Sequence, residues 1–129
     1  TDGEMGELNQ WIGFSYFIKN DYEAALQAFE QARKQNAQLS EITYYAGICA
    51  MSVGKDEQAV EYFLESAERG EYTSVCMYNA ALCEIRLEDH LTAAAYLQAS
   101  IDAGDDENAV TEAKELLDQV KEYLDEQPE

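Results

Sequence analysis

The sequence predicts an all-α fold, a solenoid of helical hairpins closed by one further helix, and three observations carry that expectation. Alanine, leucine, glutamate and glutamine dominate long stretches, and the only proline of the 129 residues is Pro128, beside the end. The chain repeats itself at a constant step of 34 residues, which places Ala25, Ala59 and Ala93 in one column. The same step relates Gly13 to Gly47 and Ala81, Phe29 to Phe63 and Leu97, Ser15 to Cys49 and Cys83, and Gly70 to Gly104. Strands have almost nowhere to form. At this length the chain fits one domain, residues 1–129.

Each repeat reads as two helices. In the first, Glu7 to Lys19 is followed by the turn and N-cap pair Asn20-Asp21, then by Tyr22 to Gln35. The second runs from Glu41 to Val53, turns at Gly54-Lys55-Asp56 and continues from Glu57 to Arg69, where Gly70 suits a left-handed helix end. In the third, Thr73 or Ser74 caps a helix to Leu87, Glu88-Asp89 turns the chain, and His90 to Ala103 returns it before Gly104. Small residues recur where two helices approach, and Phe29, Phe63 and Leu97 supply bulk between layers. After the third repeat, Asn108 to Glu126 carries Ala109, Ala113, Leu116, Leu117, Val120 and Leu124 as one apolar stripe. Its other face is charged, as suits a helix that closes a solenoid against water.

A 34-residue helix-turn-helix with glycine in the first helix and Ala-x-x-x-Phe-x-x-Ala in the second resembles the tetratricopeptide repeat family. The best copy is IGFSYFIKNDYEAALQAFEQA, residues 12–32, with weaker copies at AGICAMSVGKDEQAVEYFLES and AALCEIRLEDHLTAAAYLQAS. The resemblance covers about residues 6–107 as repeats 6–39, 40–73 and 74–107, followed by a capping helix over 108–126. It implies a right-handed solenoid of six helices plus a seventh. The sequence departs from the family in three columns: Ala37, Glu71 and Asp105 replace the proline between repeats, Ala81 replaces the first-helix glycine, and Leu97 replaces the aromatic.

The net charge is −19, and residues 102–129 hold 11 acidic and 2 basic side chains. Such a field repels phosphate backbones and anionic lipid surfaces, so nucleic-acid and peripheral membrane binding are disfavoured and basic partners favoured; solubility alone is the plainer explanation. There is no run of about 18 apolar residues and no signal segment. The expectation is a soluble domain, cytoplasmic or the extracytoplasmic part of an anchored protein. The opening Thr1-Asp2-Gly3 suggests a processed or excised domain.

No chemistry-bearing constellation stands out, so neither an enzyme nor a cofactor is expected. Cys49, Cys76 and Cys83 are odd in number, lack CxxC spacing and read as small packed hydrophobes. His90, the only histidine, occupies the column of Tyr22 and reads as a turn-packing residue; alone it makes no multi-histidine metal site. The acidic group Asp102, Asp105, Asp106 and Glu107 does not match a calcium loop, and Asp105 or Asp106 can cap the last helix.

In the family, the first helices of successive repeats line a concave face. The resemblance therefore implies a row made of Phe14, Phe17, Tyr44, Ile48, Met51, Tyr78, Leu82 and Ile85, with Gln10, Glu7, Glu41 and Val75 beside it. The lysines that clamp a chaperone tail's carboxylate in some relatives are missing, although Asn79 and Arg86 are nearby. An apolar, aromatic groove with acidic edges suits an amphipathic or basic-flanked polypeptide segment, and Tyr44 and Tyr78 suit anchoring roles. The function expected is a non-catalytic protein–protein interaction module. The alternative is a self-associating spacer, a homodimer, within a larger surface-anchored protein; the groove could also be filled by the chain itself. Trp11 reads as a packing residue near the open N-terminal end.

Overall fold

The computed structural model describes residues 1–35 and 40–127, with the backbone alone of Ser40; Ala37 and Pro128 lie outside these residues. Among the described residues seven helices follow one another: α1 (Asp2–Ile18), α2 (Tyr22–Gln35), α3 (Ser40–Ser52), α4 (Asp56–Glu68), α5 (Thr73–Arg86), α6 (His90–Ala103) and α7 (Glu107–Glu126). There is no strand among the described residues. Each helix packs on its sequence neighbours, and α7 also reaches α5, which is the pattern of an array of antiparallel hairpins. No described helix is long and apolar enough to cross a membrane.

The close approach inside each hairpin explains the repeated glycine. A Cβ built on Gly13 would lie 2.5 Å from Cε1 of Phe29, and one on Gly47 would lie 2.8 Å from Cε1 of Phe63. Both phenyl rings are 0% exposed and rest on the backbone of the first helix. In the third repeat Ala81 does carry a Cβ, and the smaller Leu97 stands where the phenylalanine would be; both are 0% exposed. The two departures of that repeat are thus one exchange of volume between facing helices.

The turns obey local chemistry, with two exceptions. Asn20, Gly54, Gly70, Glu88 and Gly104 adopt left-handed φ values of 64°, 81°, 76°, 65° and 65°. The Asp21 carboxylate accepts from the Ala24 N–H at 3.3 Å, and Asp89 accepts from the Thr92 N–H at 3.1 Å. The first exception is the start of α1, at Asp2 rather than Glu7. Thr1 and Glu4 form a reciprocal capping box, with the Glu4 N–H donating to Thr1 Oγ1 at 3.2 Å, and this adds a full turn.

The second is α5, which neither Thr73 nor Ser74 caps. Its preceding residue, Tyr72, has φ 51°, a left-handed conformation that a bulky side chain rarely adopts. The cap comes from 31 residues away: Asp105 accepts from the Ser74 N–H at 2.7 Å and from the Thr73 N–H at 3.0 Å. Ser74 Oγ donates to the Ser100 carbonyl at 2.8 Å, and Ser100 Oγ donates to the Ser74 carbonyl at 2.7 Å. Asp106 caps α7 through the Ala109 N–H at 2.9 Å. Two of the four acidic residues, Asp105 and Asp106, are accordingly helix caps, and Asp102 accepts from Gln98 at 2.9 Å.

Along α7, Ala109, Ala113, Leu117 and Val120 are buried, Leu116 and Leu124 half-buried, and Glu112, Glu115, Asp118, Lys121, Glu122 and Asp125 exposed. Trp11 departs from the packing role expected of it. It is 66% exposed, because it sits on the outward side of α1, against which no helix is placed in the structure.

Candidate polypeptide-binding face

Phe14 and Phe17 come from α1, Tyr44, Ile48 and Met51 from α3, and Tyr78, Leu82 and Ile85 from α5. All eight are half-buried. Each side chain sits between the core and water, as a position on a first helix does when one flank packs on the hairpin and the other is open. Phe14 and Phe17 converge on Tyr45, with centroids 5.0 and 5.3 Å away and rings nearly perpendicular. Phe14 also meets Phe29 edge-on at 5.2 Å. Tyr44 lies 5.3 Å from Tyr45 and 4.7 Å from Tyr72. The first two repeats thus share a continuous aromatic patch.

Tyr45 and Tyr72 were not singled out from the sequence. Tyr45 shares a column with Trp11 and Asn79, which gave no aromatic pattern to follow. Tyr72 lies in a turn, and its left-handed φ is what turns the ring onto Tyr44. No residue-type rule places a tyrosine there.

The third repeat's part of the row leans on the last helix. Tyr78 and Ile85 pack with Ala113, Leu117 and Val120 of α7. Burial raises the Tyr78 phenol above its ordinary pKa, and the neighbouring Glu112 and Glu115 carboxylates raise it further. Burial likewise pushes Tyr44 up to about 12, with the acidic groups around it adding to the shift. Tyr72 is raised chiefly by Glu41. All three phenols therefore stay protonated at neutral pH as hydrogen-bond donors.

Arg86, on the same helix as Tyr78, Leu82 and Ile85, is engaged elsewhere. Arg86 binds Asp56 through Nη2 at 2.8 Å and Nε at 3.1 Å. A separate depression of about 210 Å³ lies on the second helices, lined by Glu30, Arg33, Lys34 and Tyr62. Arg33, Tyr62 and Glu30 are already engaged there: Arg33 pairs with Glu65 and lies 4.9 Å over the Tyr62 ring, and Tyr62 donates to Glu30 at 3.0 Å.

The reactive residue types are occupied by packing. Cys49, Cys76 and Cys83 are free and 0% exposed, and burial pushes their thiols up to about 12, 11 and 11. His90 stacks on Tyr123 of α7 with centroids 4.4 Å apart. No group of three or more metal-ligating side chains occurs among the described residues.

No family model and no curated protein matches the sequence. Solved structures do. The Arabidopsis OM64 TPR domain is 13% identical, with a TM-score of 0.78 over 92% of this chain and 98% of that one. Pseudomonas aeruginosa PcrH, in complex with the chaperone-binding region of PopD, is 19% identical, with a TM-score of 0.79 over 91% of each chain. The Yersinia enterocolitica type III secretion chaperone SycD, in complex with a peptide of the translocator YopD, is 16% identical, with a TM-score of 0.76 over 89% of this chain and 91% of that one. This chain has the tetratricopeptide-repeat fold.

Proposed function

We propose that this chain is a non-catalytic protein–protein interaction module that holds a polypeptide segment along the row Phe14, Phe17, Tyr44, Ile48, Met51, Tyr78, Leu82 and Ile85. The observation that carries the reading is the half-burial of all eight, a continuous apolar row on the first helices that the core has not absorbed. Tetratricopeptide-type structures of similar shape have been solved with segments of PopD and YopD bound. Fold similarity supports the mode of action and leaves the ligand to the side chains.

Those side chains favour a segment with apolar anchors and Lys or Arg flanks. Tyr44, Tyr45, Tyr72 and Phe17 form the aromatic patch, whereas Glu41 borders Tyr72 and Glu112 and Glu115 border Tyr78. With Arg86 bound to Asp56, a carboxylate clamp has no free arginine to use. An acidic C-terminal tail is the wrong ligand for such a face.

Peptide display against the 129-residue chain tests this. Enriched sequences should pair apolar residues at helical or extended spacing with basic flanks. Tyr44→Ala combined with Leu82→Ala should abolish their binding while leaving the far-UV circular dichroism unchanged. Enrichment of acidic tails, or binding that survives both substitutions, would refute the reading.

A further inference from the structure

A second surface adjoins that row. On the outward side of α1, Met5, Leu8, Trp11, Ile12 and Ile18 are 46, 52, 66, 37 and 79% exposed. At about 100° per residue they share one stripe with Glu4, Ser15 and Lys19, opposite the buried Gly6 and Gly13. The same columns are covered in the later repeats. Ile42, Ala46 and Cys49 of α3, and Cys76, Ala80 and Cys83 of α5, stand where α1 has Leu8, Ile12 and Ser15. All six are 0% exposed, with α2 packed on α3 and α4 on α5. The stripe on α1 is thus a helix-docking surface by its place in the repeat.

Charge identifies the helix that fits. Residues 8–18 contain no charged side chain, in a chain of net charge −19. A heterologous basic segment would find only Glu4, at one end of the stripe, to pair with. The far end of the array does not fit either, since the outward side of α7 carries Glu115, Asp118, Glu122 and Asp125, all exposed. Head-to-tail stacking would set these carboxylates against Leu8 and Ile12.

The stripe fits itself. In antiparallel α1 helices related by a two-fold between Trp11 and Ile12, Trp11 faces Ile12, Leu8 faces Ser15, Met5 faces Ile18 and Glu4 faces Lys19. Each pairing occurs twice. The Glu4 side chain is 81% exposed and meets the Thr1 amino group at 3.3 Å in the capping box, which leaves its outer side open, and Lys19 is exposed and in none of the ion pairs found among the described residues. The strongly acidic α7 helices stay at the outer ends.

We propose that this face is the two-fold interface of a homodimer formed by antiparallel packing of α1 on α1 of a second copy. One helix pair is a small contact, so the dimer is expected to be reversible rather than obligate. Trp11 touches Phe14 of the polypeptide-binding row, with ring centroids 6.1 Å apart, but the stripe is centred on another side of α1, and Leu8→Glu tests it without altering the row.

Sedimentation of the 129-residue chain from about 1 μM to about 1 mM brackets the affinities in question. A monomer–dimer equilibrium is expected, and the emission of Trp11, the only tryptophan, should shift to the blue along the same isotherm. Leu8→Glu should leave a folded monomer. Glu4→Lys or Lys19→Glu alone sets like charges opposite twice and should weaken the dimer by up to about tenfold. The two together should restore it.

A monomer at every concentration would overturn the proposal, whether the face then accepts a foreign helix or one from a longer form of the chain. A dimer indifferent to Leu8→Glu would equally overturn it by locating the contact elsewhere. A dimer lost in Leu8→Glu but not rescued by the double charge exchange would overturn the antiparallel register.

Discussion

Gly47→Ala is the sharpest probe of how the hairpins lock. The added methyl would sit 2.8, 2.9 and 3.1 Å from Cε1, Cδ1 and Cζ of Phe63, a ring that is 0% exposed and has no solvent to swing into. Alanine favours a helix interior over glycine by about 1 kcal/mol. Overpacking a tight core costs about 1–3 kcal/mol. The clash should at least cancel that gain, for a net loss of up to about 2 kcal/mol, or a fall of up to about 8 °C in Tm at this chain length. Phe63→Leu alone leaves a partial cavity and should cost about 1–2 kcal/mol, less than complete truncation of a buried phenylalanine. The double variant recreates the pair that Ala81 and Leu97 already form in the third repeat, both 0% exposed. It should be at least as stable as Phe63→Leu, a favourable coupling of about 1–3 kcal/mol. Urea unfolding followed by far-UV circular dichroism measures all four corners of the cycle, with a constant m-value confirming a comparable transition. Additive effects would refute the claim that the two columns exchange volume.

Three further outcomes follow from the caps, the turn and the thiols. Desolvation raises the Asp105 carboxyl, and the hydrogen bonds from Ser74, from its own backbone and from Thr73 outweigh it, leaving the group below the usual carboxylate range. Its stabilising effect is therefore complete above the unfolded-state value near 4 and is lost as pH falls through the lower folded value. Asp105→Asn should cost about 1–2 kcal/mol at pH 7 and flatten the acid limb of the stability curve, as read by urea midpoints across pH. At Tyr72, both Tyr72→Gly and Tyr72→Ala remove the ring from Tyr44, but only glycine relaxes the left-handed backbone. The glycine variant should be about 1 kcal/mol more stable in thermal unfolding, and equal stability would contradict the strain. Thiol-directed reagents should label Cys49, Cys76 and Cys83 only on unfolding, since all are buried and their thiols are pushed up to about 11–12. Fast labelling of any one in the native protein would show that it is accessible after all.

Features that repeat were legible in the sequence, and features that cross between repeats were not. The columns of Ala25, Ala59 and Ala93 and of Phe29, Phe63 and Leu97 are all 0% exposed, as their shared period requires. The two departures in the third repeat looked separate because sequence shows columns, whereas the contact joins Ala81 of one helix to Leu97 of the next. The sequence offers Asp105 or Asp106 as the cap of the last helix; Asp106 takes that role, while the Asp105 carboxylate reaches back to Thr73 and Ser74. Local capping rules weigh neighbours three residues apart and miss a partner 31 residues away. Trp11 failed for a related reason. Its column predicts packing only where a helix lies on that side, and none of the described helices covers the Trp11 side of α1.

The proposed binding row is half legible for a physical reason. A residue such as Phe14 or Tyr44 serves the core and the open face at once, touching Tyr45 on one side and standing half-exposed on the other. Core packing alone would retain an apolar side chain there, so its apolar character marks the position without describing the ligand. Discrimination has to come from groups that the core does not need. Glu41, Glu112 and Glu115 are all exposed and all raise the pKa of a nearby tyrosine phenol. Replacing them with glutamine leaves the packed row intact and removes the charge complementarity. If a basic-flanked segment is the ligand, that triple variant should bind it more weakly, with most of the loss in association rate and with less dependence on salt.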